Sequence, residues 1–264
     1  MVARMQASTR GARWFGLVLL LATGCAAPGP GPMGPPQGPG PGDMPPVEGA
    51  PTDPEIPIDP AKEMPEASLS TTASLELGKP ATVVVDGRAD IFSSGLAAPD
   101  QNRGGRLPAT LALAPGGGSL TFGKVKGVVG CVAGATTPPD GGDCAGGNTD
   151  IEPANGISGI KNHQHSQFLV GVFLGPTAST TAPATLDFSS DAKGEQFSEL
   201  APAIGQQFYI GDGLTSAGAP QRFVIPAGAT RLFLAFSDAF SFQGEPGAYG
   251  DNTGGLHVTL TQQK

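Results

Sequence analysis

Residues 255–261 read GLHVTLT, and their alternation of apolar and polar side chains is the clearest structural signal in the chain. Leu256, Val258 and Leu260 occupy every second position, and polar residues lie between them. Successive side chains of a β-strand point to opposite faces of the sheet. The segment is therefore predicted to be a strand with one buried face and one face in water.

A second decisive segment, residues 168–174, reads FLVGVFL and is apolar throughout, which predicts a strand covered on both faces. No segment combines a helical period with helix caps. Short β-type runs between Gly and Pro turns give ten candidate strands: 81–86, 88–93, 109–113, 119–129, 168–174, 184–188, 207–210, 221–225, 230–237 and 255–261. Many short strands with such turns predict an all-β fold, a β-sandwich or jelly roll.

This predicted domain spans residues 68–264, which is long enough to bury a core of its own. Residues 25–67 differ, because they consist mostly of Pro, Gly and Ala with a few acidic residues. Such a composition has too few apolar side chains to offset the cost of ordering. We expect a disordered linker with much polyproline-II structure, a stalk that extends at about 3.1 Å per residue.

The N-terminus has the features of a targeting segment, since residues 1–24 carry three arginines followed by an apolar run at 14–21. That run is shorter than the roughly 20 residues needed to span a membrane. Residues 21–25, LATGC, resemble the lipobox of bacterial lipoproteins. The resemblance implies lipidation at Cys25 and a membrane-anchored protein of the cell envelope, at the outer membrane. An ordinary secretory peptide is the alternative.

The other two cysteines, Cys131 and Cys144, form an even pair in an oxidising compartment, which predicts a disulfide between them. A metal site built on two thiols is the alternative, but no Cys-x-x-Cys pair supports it. The closed loop is rich in Gly, Pro and Asp.

Charge and motifs exclude several classes of function. The net charge is −8, and loss of residues 1–24, with three arginines and no acidic residue, makes it −11. This balance argues against nucleic acid as a partner. The sequence has no nucleophile elbow, zinc-protease motif or phosphate-binding loop, so we expect no enzyme activity. Carboxylates at Asp238 and Glu245 leave a glycosidase as the remaining catalytic alternative.

The best candidate for a site is residues 238–254, DAFSFQGEPGAYGDNTG. Asp238, Asp251 and Asn252 lie around a Pro-Gly turn between two predicted strands. Calcium prefers several oxygen ligands from carboxylates, amides and carbonyl groups, and this loop offers them. The alternative is that the Asp and Asn side chains only shape the turn.

A second candidate is the segment His163-Gln164-His165. If it is a strand, the two imidazoles share one face and could hold zinc or copper, together with His257, or could bond a ligand. A polar loop is the alternative.

The stretch FVIPAGATRLFLAFSD at 223–238, followed by PGAYGDNTGGLHV at 246–258, resembles the C-terminal half of the LecA-type calcium-dependent galactophilic lectins. These are β-sandwiches of the galactose-binding-like class. The resemblance implies calcium ligands from Asp238, Asp251 and Asn252 and from the backbone carbonyls of Ala248 and Ile91. It also implies that Asp238 bridges the ion to a sugar.

The sequence departs from the family at two places. Residues 239–245 are inserted at a point where the family passes almost directly from the aspartate to Pro-Gly. The histidine and glutamine with which the family clamps the sugar have no aligned match in this chain, although His163-Gln164-His165 lies near in sequence order. Two hypotheses follow. The first is a lipid-anchored carbohydrate-binding protein that uses calcium, with Asp238, Asp251 and the histidine segment at the ligand. The second is a structural or protein-interaction sandwich with no sugar binding.

Overall fold

The computed structural model describes residues 70–132, 134–177 and 180–264. The predicted signal peptide at 1–24, the lipidated Cys25 and the linker at 25–67 lie outside the described residues. In the described residues the chain forms fifteen strands: β1 Thr72–Ser74, β2 Pro80–Asp86, β3 Ala109–Ala112, β4 Ser119–Val132, β5 Ala135–Thr137, β6 Thr149–Ile151, β7 Ile160–Asn162, β8 Val170–Leu174, β9 Leu186–Asp187, β10 Glu199–Leu200, β11 Gln207–Tyr209, β12 Arg222–Val224, β13 Arg231–Ala235, β14 Gln243–Gly244 and β15 Thr253–Gln263.

The helical structure among these residues is limited to short 3₁₀ turns: Ile91–Ser93, Gln101–Arg103, Cys144–Gly146, Phe240–Phe242 and Tyr249–Asp251. A search of the same part of the chain finds no helix with the length and apolar character needed to cross a membrane.

The strands form two main sheets that pack face to face. One has the order β1-β3-β13-β8-β11, and the other has the order β10-β12-β4-β15-β2 with β5 added to β4. A third, smaller sheet has the order β14-β6-β7-β9. The prediction of an all-β sandwich is confirmed.

Strand β15 holds the second sheet together, because it pairs antiparallel with β4 on one side and β2 on the other. Leu256, Val258 and Leu260 are completely buried, while His257 between them is exposed. The period-2 pattern of the sequence therefore predicted both the strand and its buried face. The apolar run at β8 is likewise buried at every position and lies between β13 and β11.

Aromatic rings fill the space between the two main sheets. Phe208 on β11 and Phe223 on β12 come from opposite sheets, and their ring centroids are 5.4 Å apart. Phe122 meets Phe223 edge to face at 5.3 Å, and Phe173 stacks on Phe208 at 5.2 Å. Burial of each such ring contributes on the order of 1.5–3 kcal/mol. This aromatic core holds the sheets together.

The predicted strand at 88–93 is wrong. The chain makes a turn there, and the 3₁₀ turn Ile91–Ser93 follows, with Asp90 at its N-cap. The Oδ1 atom of Asp90 accepts a hydrogen bond from the backbone N–H of Phe92 at 2.8 Å. A short acidic side chain that bonds its own backbone in this way favours a turn over an extended strand.

A disulfide joins Cys131 and Cys144, as the cysteine count predicted. Their Cα atoms are 6.4 Å apart, within the usual range for a disulfide. The bond connects the end of β4 to the 3₁₀ turn Cys144–Gly146 and closes a Gly- and Pro-rich loop.

Candidate cation site at the end of strand β13

The residues of the predicted site lie where the chain leaves β13. Phe236 bridges to Asp90 across a short parallel contact, in which the backbone N–H of Ile91 donates to the carbonyl of Phe236 at 3.2 Å. Residues 89–91 therefore run parallel to the chain at Phe236. The hydroxyl of Tyr249, on the loop that leads to β15, reaches the carbonyl of Phe236.

Asp238 and Asn252 form a buried pair at the centre of the site, with only 3% and 2% of their surface exposed. The Asn252 amide donates to Oδ2 of Asp238 at 2.8 Å, and the backbone N–H of Ala239 donates to Oδ1 at 2.7 Å. The Oδ1 atom of Asn252 is buried and has no hydrogen-bond partner among the described residues. A buried oxygen without a partner costs free energy, and a cation would satisfy it.

The environment of Asp238 disfavours its negative charge. Burial raises the pKa of its carboxyl to about 7, and the nearby carboxylates of Asp251 and Asp90 add to the rise. The hydrogen bonds from Asn252 and Ala239 oppose it without cancelling it. Two further acidic side chains thus act on the buried Asp238, an arrangement that a divalent cation would stabilise.

The seven-residue insertion leaves Asp238 in place. Its two ends close on each other, since Ala239 bridges to Pro246 and the backbone N–H of Gly247 donates to the carbonyl of Asp238 at 2.9 Å. The inserted residues extend away as the turn Phe240–Phe242 and strand β14. Residues 239–245 therefore do not separate Asp238 from Asn252.

Tyr249 holds the backbone of the site in place, and its side chain is completely buried. Its hydroxyl donates to the carbonyl of Phe236 at 3.3 Å and accepts from the backbone N–H of Asp238 at 3.2 Å. Burial, with the charges of Asp90 and Asp238, raises the pKa of the Tyr249 hydroxyl. This neutral phenol fixes the backbone that presents Asp238.

Asp90 belongs to the same neighbourhood but already has positive and polar partners. Its Oδ2 atom accepts from the hydroxyl of Ser93 at 2.7 Å and lies 3.4 Å from Nη1 of Arg103. The backbone at Gly105 approaches Asp90 very closely, because a Cβ atom added at Gly105 would lie 2.7 Å from Cβ of Asp90. Only glycine fits there without a shift of the backbone or of Asp90.

The remaining predicted ligands differ in accessibility. Asp251 and Ala248 are exposed, and Ala248 has a positive φ angle of 67° at the N-cap of the turn Tyr249–Asp251. Ile91 is buried, and its carbonyl accepts hydrogen bonds from the backbone N–H and the hydroxyl of Ser94, at 3.1 and 2.6 Å. A cation at that carbonyl would share it with Ser94, so the role of Ile91 stays a prediction.

These residues fit calcium only as a mixed oxygen site. The described ranges contain no group of three or more His, Cys, Asp or Glu side chains placed to hold a metal ion. Calcium accepts amide and carbonyl oxygens as well as carboxylates. The buried oxygen of Asn252 that lacks a partner, beside the Asp238 carboxylate and the exposed Asp251, is the observation that fits it.

The histidine segment has a separate set of contacts. Strand β7 ends at Asn162, so residues 163–165 are not extended and the shared-face argument does not apply. Nδ1 of His165 lies 2.6 Å from Oε1 of the buried Glu195, which also accepts from the Asn162 amide at 2.6 Å. The Oδ1 atom of Asn162 accepts the backbone N–H groups of Gln164 and His165. Glu195 was missed because it lies thirty residues from His165 in sequence.

Comparison of the chain with protein-family models, with curated proteins and with solved structures finds no match. The resemblance to galactophilic lectins therefore stays a prediction that rests on the residues of the chain itself.

Proposed function

We propose that the protein is a lipid-anchored, extracytoplasmic carbohydrate-binding protein that uses a calcium ion held by Asp238 and Asn252. One observation carries the proposal: the Asn252 oxygen without a partner, buried against an acidic side chain whose charge is disfavoured. The bound calcium would supply positive charge to these oxygens and an attachment point for sugar hydroxyls.

The exposed side of the site supports ligand access. Ala248 and Asp251 flank the buried Tyr249 in sequence and are open to solvent. A sugar would meet the ion on this side, with the Asp251 carboxylate available to accept hydrogen bonds from its hydroxyl groups. The long linker and lipidated Cys25 predicted from the sequence would hold this surface away from the outer membrane.

The ion is tested by thermal unfolding of the chain lacking residues 1–25, with excess calcium and with chelator. We expect calcium to raise the melting temperature of the wild type and to raise it much less in Asp251→Asn and Asn252→Ala, because an ion that binds only the folded state stabilises it. Asp191→Asn is the matched control, since Asp191 is also exposed but is not part of the site. Equal shifts in all four proteins would refute the site.

The sugar is tested separately, on an immobilised glycan panel that includes galactosides. We expect binding in calcium, loss of binding in chelator, and loss of binding in Asp238→Ala. Glycan binding that persists after chelation would contradict a calcium-mediated mechanism.

The anchor has its own test. Cys25→Ser should remove incorporation of a labelled fatty acid and release the protein from the membrane fraction. An unchanged distribution would contradict lipidation at this residue.

A second candidate function is a protein-interaction domain that calcium stabilises but that binds no sugar. The burial of Asp238 and Asn252 favours it, because little of either side chain reaches solvent. A rise in melting temperature with calcium, without binding to any glycan, would distinguish this candidate.

A further inference from the structure

A polar cleft lies on the third sheet, outside the proposed calcium site. It has a volume of about 400 Å³, and its walls include Asp150, Glu152, Lys161, Thr185 and Gln243. These residues belong to or border β6, β7, β9 and β14. The cleft therefore offers carboxylate, amide, hydroxyl and ammonium groups on a rigid β scaffold.

The insertion after Asp238 places an aromatic ring at this sheet. Phe240 is 85% exposed, the highest value among the large hydrophobic residues that are exposed in the described part of the chain. Its 3₁₀ turn, Phe240–Phe242, contacts β6, and the next two residues form β14, whose Gln243 lines the cleft. The turn that carries this exposed ring thus leads directly into the strand that forms one wall of the cleft.

The turn that presents Phe240 is fastened to the sheet. Phe242 is buried, and β14 pairs parallel with β6. The Gln243 amide donates to the carbonyl of Asn148 at 2.9 Å, and the backbone N–H of Glu152 donates to the carbonyl of Gly244 at 2.8 Å. The backbone that follows Phe240 is consequently anchored to the sheet, while the ring itself is exposed.

The same turn has an unfavourable backbone. Ser241 and Phe242 have φ angles of 53° and 56°, a left-handed conformation that is unfavourable for residues other than glycine. Backbone strain of this kind concentrates at functional sites. Here the strained turn carries the ring of Phe240, which is not packed into the protein core.

The charges of the cleft select the class of ligand. Lys161 is paired with Asp150, with Nζ and Oδ2 2.8 Å apart, so its positive charge is already matched. Glu152 adds a further negative charge, and the chain as a whole carries −8. Phosphates, nucleic acids and other anions are therefore disfavoured. A neutral ligand with many hydroxyl groups and one apolar face fits best.

We propose that this cleft is a second, calcium-independent saccharide site, in which a neutral pyranose stacks on Phe240 and hydrogen-bonds to Gln243, Thr185 and Glu152. Sugar rings have an apolar face of C–H groups that packs on aromatic side chains, and polar groups around an apolar platform fix their orientation. None of these residues is a proposed calcium ligand, so this saccharide site can be tested independently of the calcium site.

The test measures binding of neutral gluco-, manno-, galacto- and N-acetylglucosamine-configured oligosaccharides to the chain lacking residues 1–25, in chelator, by NMR titration. We expect at least one series to bind and to shift the Phe240 ring signals. Phe240→Ala should weaken that binding on the order of tenfold or more, since it removes the stacking surface. Gln243→Ala should weaken it as well.

Leu77→Ala is the matched control, because Leu77 is also an exposed large hydrophobic residue, at 43%, but precedes β2 on another sheet. Its affinity should equal that of the wild type. Three outcomes overturn the proposal: no series binds in chelator, Phe240→Ala binds as tightly as the wild type, or Phe240→Ala abolishes only self-association or protein binding. Binding in chelator that depends on Phe240 but not on Asp238 would support this site even if the calcium site failed.

Discussion

Replacement of Asp238 by asparagine tests how burial of this carboxylate affects the calcium-free protein. Its pKa is raised from 3.8 to about 7, so the folded protein retains a proton that the unfolded chain has lost. The stability that this group contributes is fully present below pH 3.8 and is lost as the pH rises through about 7. The variant has no such titration, so its stability should not show this decline.

The size of the effect follows from the pKa. A rise of about three pH units, at 1.36 kcal/mol for each, gives about 4 kcal/mol as the upper limit of the free energy lost between about pH 4 and pH 8. Asparagine keeps the size of the side chain, with its oxygen placed to accept from Ala239 and its amide placed to donate to Oδ1 of Asn252 once the Asn252 amide is turned over, so the wild type and Asp238→Asn should be similar near pH 4. At pH 8 without calcium, the variant should be the more stable protein by a large part of this amount.

The assay is urea unfolding followed by far-ultraviolet circular dichroism, because the single tryptophan, Trp14, lies in the predicted signal peptide. Glu76→Gln is the control, since Glu76 is 68% exposed in a surface ion pair with Lys79 and its loss changes the same charge without burial. Parallel pH profiles for the wild type and Asp238→Asn would refute the reasoning. Calcium added at pH 8 should reverse the order by stabilising the wild type.

Three further changes test the structure around the site by urea unfolding. Tyr249→Phe removes the hydroxyl that joins two buried backbone groups and should cost about 1–3 kcal/mol of unfolding free energy; a change near zero would contradict its role. Simultaneous replacement of Cys131 and Cys144 by serine should cost about 3 kcal/mol by releasing the closed loop, and reductant should then affect only the wild type. Gly105→Ala should cost about 1–3 kcal/mol through overpacking, whereas Gly250→Ala, where an added Cβ meets nothing within 4 Å, should be neutral; equal effects would exclude the steric explanation.

Strands with a pattern in their own sequence were predictable. Of the ten predicted strands, nine overlap strands of the described residues, among them the alternating β15 and the apolar β8. The six strands that were missed, such as β10 and β14, have two or three residues each, too few to show a period. The segment at 88–93 failed because one side chain, Asp90, bonds the local backbone and outweighs the β-type composition.

The residues of the candidate sites also differ in whether the sequence could predict their contacts. Asp238 and Asn252 were predicted together and lie together, because both follow from one local sequence between two strands. The path of the insertion was not predictable, since it depends on pairing between β14 and β6, whose Asp150 is opposite Gln243 and distant in sequence. The partner of His165 was missed for the same reason, because Glu195 is thirty residues away.

The central position of β15 has a consequence for how the domain assembles. Residues 253–263 pair with residues 119–130 and 80–86, so the middle of the larger sheet joins segments more than one hundred residues apart. All-β domains with such distant pairings fold slowly, in milliseconds to seconds. Until residue 263 has been synthesised, β2 and β4 have exposed edges and no partner between them. The chain therefore stays incompletely folded throughout its synthesis, a state compatible with the export proposed above.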